Sequence, residues 1–241
     1  MKGAHRHSTR PTIDPRRWIH VPYDPAVNIA VVLLVLAGTS ALVDWQAAAT
    51  ERHAIRLVAK PLTMALLVGV AATFGDPPDD VRTWLVIGAV FGLAGDVALL
   101  GDSEIAFMVG LGTFAVGHVA YAVSALLVGF DWVLAIPGVV FLAAMLGFRF
   151  VGRTLPGAKR DGGTVLVGAV AFYAAVISAM VVTAWATGEW LAALGAMLFA
   201  VSDWLLGYQR FVSPIKNGPL AVMIPYHVGQ TLLILGLAAA G

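Results

Sequence analysis

The chain has 241 residues, 59% of them hydrophobic and only 12% charged, with a mean hydropathy of +0.86. Soluble domains carry about 25% charged residues, so a soluble enzyme or binding module is excluded as a description of the whole chain. The formal net charge of +1 makes no electrostatic case for nucleic acid. The absence of cysteine removes disulfides, thiolate metal sites and a cysteine nucleophile.

Residues 1–26 combine Lys2, Arg6, Arg10, Arg16 and Arg17 with Pro11, Pro15, Pro22 and Pro25. No apolar core of a secretory signal lies among them, and the expectation is a disordered or surface-lying tail. Residues 27–241 are expected to form one all-α, polytopic membrane domain, a bundle of about eight helices of roughly 20 residues each. Pro, Gly and charge punctuate the chain into helices over 27–43, 55–74, 82–100, 105–128, 132–151, 164–186, 190–209 and 220–240. Connections such as Gly129–Asp131 are short, so consecutive helices are expected to be antiparallel neighbours. The segments are too long for membrane strands and lack a two-residue alternation.

The loops after helices 1, 5 and 7, with the helix ends beside them, hold Arg52, Arg56, Arg149, Arg153, Lys159, Arg160, Arg210 and Lys216, while those after helices 2, 4 and 6 hold essentially Arg82 alone. The positive-inside rule then predicts a multi-pass protein of the cell membrane with its odd-numbered loops in the cytoplasm. The basic tail argues for the opposite orientation, one site against three.

A charge at mid-bilayer costs about 2.5–3.5 kcal/mol on insertion scales, so each one kept there needs a reason. Helix 2 carries Lys60-Pro61-Leu62-Thr63, and helix 3 ends in Gly95-Asp96 followed by Leu99. Helix 4 places Phe107, Leu111, Phe114, His118 and Tyr121 on one face. Helix 7 carries Ser202-Asp203, and helix 8 opens with Tyr226, His227 and Gln230. Lys60, His118, Tyr226 and Gln230 lie in or near the entry halves of even helices, and Asp96 and Asp203 in the exit halves of odd ones. All therefore fall in the odd-loop half of the membrane and are expected to line a single cavity. Each also has a plainer role. Lys60 is placed to snorkel, Asp96 to cap a turn, His118 to pack between helices, and the tyrosines to serve as interfacial aromatics.

Three chemistries suit this set. Two carboxylates in unlike surroundings can divide acid and base work, which fits acid-catalysed hydrolysis through an oxocarbenium-like state. A proton-coupled transporter of a small molecule or lipid would load and unload the same aspartates. A metal-dependent lipid hydrolase is the third, since Asp96, His118, Asp203 and His227 are adequate zinc ligands, but no local ligand motif supports it. No metal or other cofactor is expected.

The motifs Lys60-Pro61-Leu62-Thr63, Gly95-Asp96 with Leu99, Phe107-x-x-Gly110-x-x-x-Phe114-x-x-x-His118-x-x-Tyr121, Phe199-x-x-Ser202-Asp203 and Tyr226-x-x-x-Gln230 resemble the YhhN-like lysoplasmalogenase family in order and spacing. His227 departs from the pattern, which has an apolar or aromatic residue there. The resemblance implies an eight-helix membrane hydrolase that takes a lysophospholipid from the bilayer. Its reaction would be cleavage of the vinyl ether of lysoplasmalogens to a fatty aldehyde and a glycerophosphoethanolamine or glycerophosphocholine. Asp96 and Asp203 would be catalytic, with Lys60, His118, Tyr121, Ser202, Tyr226 and Gln230 around the substrate and Lys60 holding the phosphate or tuning an aspartate.

Overall fold

The computed structural model describes residues 25–240, so nearly all of the expected tail lies outside the described residues. The helices are α1 Pro25–Ala49, α2 His53–Thr73, α3 Asp79–Ala98, α4 Glu104–Val128, α5 Trp132–Met145, α6 Leu155–Ala186, α7 Trp190–Phe211 and α8 Gly218–Ala238, with a π-helical stretch, Leu146–Thr154, joining α5 to α6. Among the described residues there are seven helical runs long and apolar enough to cross a membrane.

One of these runs, Trp132–Ala186, counts 55 residues. Straight, it would extend about 80 Å, far beyond the ~30 Å hydrocarbon core. It doubles back instead. The Asp131 amide donates to the Ala186 carbonyl at 2.9 Å, and Gly138 faces Trp185 so closely that a Cβ there would lie 2.8 Å from the indole. The chain therefore passes the bundle eight times, as expected.

The expected loop over 152–163 is helical for most of its length. Pro156 sits in the first turn of α6, where a missing N–H costs nothing, so it does not end the helix. The break falls at Gly162 and Gly163, whose φ values are −143° and +65°. The second is a conformation that favours glycine. The turn of helix before this break lies at the odd-loop end of α7. There Gly157 meets the Phe211 carbonyl with no room for a side chain, and Ala158 is buried beside Phe211.

Helix pairs approach through small residues, the usual device where lipid supplies no hydrophobic drive. On α7 and α8, Gly195, Gly229 and Gly236 have no space for a Cβ against the facing backbone. On α3, Gly88, Gly92 and Gly95 form a stripe. A Cβ at Gly88 would lie 2.6 Å from the Tyr121 ring, and one at Gly95 2.6 Å from the Phe114 ring. At Gly92 it would lie 3.0 Å from Gln230 Nε2. These clearances let the polar side chains of α4 and α8 reach α3.

Candidate functional site

Asp96, in the last turn of α3, is 1% exposed. Lys60 from α2 places Nζ 3.2 Å from its Oδ1, and Tyr226 from α8 donates to its Oδ2 at 2.8 Å. Beside this cluster the Tyr121 hydroxyl donates to Gln230 Oε1 at 2.8 Å, with both groups buried. A buried carboxylate persists only when paired and hydrogen-bonded, and here one cation and one phenol supply both.

Asp203, one residue after Ser202 on α7, belongs to a second cluster. Tyr173 of α6 donates its hydroxyl proton to Asp203 Oδ2. His118 of α4 brings Nε2 to 2.9 Å from the Tyr173 oxygen and 3.4 Å from Asp203 Oδ2. With the phenol proton directed at Asp203, Nε2–H of the imidazole donates to Tyr173, closing a loop of three groups. Ser202 turns away, its hydroxyl donating to the Val222 carbonyl at 3.0 Å, and so ties α7 to α8.

Between the clusters stands an aromatic layer. Phe199 packs edge-on against His118 at 4.6 Å between ring centroids and against Tyr226 at 5.3 Å. Phe114 meets Tyr226 at 6.0 Å. The residues expected to share a cavity thus form one contiguous assembly of two polar clusters, tied through Phe114 and Phe199. The cavity itself reaches only one of them. It is bounded by Asp203 and Tyr173, by Thr154 and Trp204, and by mostly apolar side chains such as Phe107, Leu111, Phe114 and Ile177. The Asp203 side chain is 14% exposed. A second recess, on the outer faces of α4 and α6 and lined by Met108, Gly112, Val119 and Phe172, shares Leu111 and Tyr173 with the cavity. Leu111 and Tyr173 thus stand between the outer recess and the cavity that Asp203 lines.

Among the described residues no three His, Asp or Glu side chains converge as a metal-ligand set. His118 goes with Asp203 and Asp96 with Lys60, while His227 accepts at Nδ1 from Trp45 Nε1 at 3.1 Å. That contact with α1 accounts for the imidazole at a position where the motif has an apolar or aromatic residue.

Sequence reasoning missed two features. Tyr173 is the first; its signal was a tyrosine in the middle of an apolar helix, where a hydroxyl needs a partner. The second is Asp44 of α1, fully buried and paired with Arg56 Nε at 3.4 Å.

An eight-pass helical bundle with a buried carboxylate at the wall of a largely apolar cavity defines the class: a polytopic membrane protein. The particular family is shown by comparison. The chain belongs to the YhhN family, which it matches over residues 55–237. It is similar to lysoplasmalogenase TMEM86B of Homo sapiens, 29% identical over 159 residues, and to that of Mus musculus, 30% identical over 161 residues. Each alignment covers 66% of this chain and 65% of the relative. Lysoplasmalogenase TMEM86A of Bos taurus is 29% identical over 157 residues, 64% of either chain. The chain thus spans just under two thirds of the length of these relatives. No solved structure matches.

Proposed function

We propose that this protein is a membrane hydrolase of the lysoplasmalogenase type, cleaving the vinyl ether of an alkenyl lysophospholipid to a fatty aldehyde and a glycerophospho-alcohol. The observation that carries the reading is the Asp203 carboxyl, the one carboxylate among the described residues lining a largely apolar cavity, held by Tyr173 and His118. The names of the similar proteins support the substrate class.

A vinyl ether is cleaved by protonation of its β-carbon. Asp203 delivers that proton, and the resulting oxocarbenium ion is stabilised by the carboxylate left behind. Water then adds to the cationic carbon while Asp203 takes up its proton, acid in one step and base in the next. The hemiacetal collapses with the ether oxygen leaving on the glycerol. Tyr173 and His118 fix the carboxyl's orientation. The alkenyl chain lies along Leu111, Phe114 and Ile177, having entered from the bilayer between α4 and α6. Asp96 is a positioning group in this scheme. With Lys60 it anchors Tyr226, against which Phe199 and hence His118 are packed. The positive-inside pattern puts the odd-numbered loops, and with them the site, on the cytoplasmic side of the cell membrane.

The test is a lipid screen with the purified protein in detergent. A fatty aldehyde released from an alkenyl lysophospholipid, and not from its ester counterpart, is the expected result. Release of fatty acid from the ester alone would replace this reading.

A further inference from the structure

The odd-loop end of the cavity is ringed by charge that the reaction above does not use. Phe107 of α4 and Phe211 of α7 form its rim, packed edge-to-face at 5.9 Å. Arg210 lies over the Phe107 ring, with Cζ 5.4 Å from the centroid. Arg160, on the turn of helix before the Gly162–Gly163 break, donates to the Phe211 carbonyl at 3.4 Å. Each guanidinium is thus braced against a rim residue while most of its five donors remain available. Glu104, in the first turn of α4, brings a carboxylate oxygen 4.0 Å from Arg210 Nη2, and the two side chains are 78% and 42% exposed. An ion pair this exposed contributes little to stability, so the three charges are open to another partner. Lys60 is not, being spent on Asp96.

The spacing to the reacting carboxyl is informative. Arg210 and Asp203 are seven residues apart on α7, two turns along one face, or about 10 Å. In an alkenyl lysophospholipid the β-carbon and the phosphorus are separated by seven bonds, about 8 Å in an extended chain. A lipid with its β-carbon at Asp203 would carry its phosphate to the level of Arg210.

Resting on the hydrolase reading above, we infer that Arg210 and Arg160 bind the phosphate of the lipid headgroup and that Glu104 receives its ammonium group. These three side chains, and not Lys60, would then hold the headgroup that the hydrolase reading implies. Planar guanidinium forks suit phosphate oxygens, and a carboxylate beside them suits a cationic amine. The Phe107–Phe211 rim marks the change from chain to headgroup.

The experiment is a binding titration of the full-length protein in detergent with non-hydrolysable saturated ethers of one chain length. They are a 1-O-alkyl-glycerophosphoethanolamine, the corresponding glycerol 3-phosphate, and the 1-O-alkylglycerol. Wild-type protein is expected to bind the phosphoethanolamine lipid at least about tenfold more tightly than the alkylglycerol, the scale of a charge-assisted contact. Arg160→Gln with Arg210→Gln is expected to erase that difference and leave alkylglycerol affinity unchanged. Glu104→Gln should erase only the preference for ethanolamine over bare phosphate. A phosphate preference that survives in the double arginine variant would overturn the headgroup site while leaving the hydrolase reading standing. Equal affinity of wild-type protein for all three lipids would do the same. Failure of all three to bind would sink both together.

Discussion

Tyr173 and Asp203 are hydrogen-bonded across the α6–α7 interface, and both line the cavity. Neither cluster member is expendable in the same way. Tyr173→Phe removes the phenol's bond to Asp203 and the acceptor for His118 while filling the same space. A hydrogen bond to a charged group is worth about 1.5–3 kcal/mol, so kcat should fall roughly ten- to hundredfold with thermal stability near wild type. An unchanged kcat would show that the phenol serves only packing.

Asp203→Asn keeps the shape and part of the hydrogen bonding but cannot protonate carbon. General acid–base groups are worth roughly 10²–10⁴ in rate, and a loss of that size is expected in a protein that still purifies as a folded monodisperse species. Retention of more than about a tenth of wild-type activity would remove Asp203 from the chemistry.

Asp96 and Lys60 make a contrasting prediction. Asp96→Asn strands a buried ammonium, and breaking a buried pair costs about 3–5 kcal/mol, so the variant should unfold at markedly lower temperature. The double variant Asp96→Asn with Lys60→Met removes the stranded charge and should regain most of that stability. It should also retain more activity than Asp203→Asn. Equal inactivity of a stable double variant and Asp203→Asn would give Asp96 a direct part in the reaction.

Leu111 belongs to both the cavity and the recess between α4 and α6. Leu111→Trp narrows that junction. KM should rise for long-chain substrates and change little for a short-chain, water-soluble analogue. A uniform effect on both would argue that the chain does not enter between these helices.

Much of this polar assembly is legible in the sequence, for one physical reason: in a bilayer, ionisable side chains have only the bundle interior to go to. That constraint, with helix parity, brought Lys60, Asp96, His118, Asp203, Tyr226 and Gln230 into one half of the membrane. The glycine preceding Asp96 and the glycine three residues after Phe107 have their reasons in packing. Gly95 clears the Phe114 ring, and a Cβ at Gly110 would lie 2.6 Å from Leu99. What could not be read was how aromatic packing divides the polar residues. Phe114 and Phe199 place Asp96 behind the wall and Asp203 on it, a consequence of side-chain directions that spacing alone does not carry. Tyr173 went unseen because its partners come from α4 and α7, and the helical stretch after residue 151 because Pro156 in a first turn resembles a helix stop.

The central claim, that Asp203 protonates carbon, is tested most directly with isotopes. Hydrolysis of an alkenyl lysophospholipid in D₂O, with the aldehyde trapped at once by reduction, should give a product carrying one deuterium at C2. In ¹⁸O-labelled water the sn-1 glycerol oxygen should stay unlabelled, since the ether oxygen departs with the glycerol. Aldehyde trapped without deuterium at C2 would contradict protonation at carbon, and the role of Asp203 as the acid would fall with it.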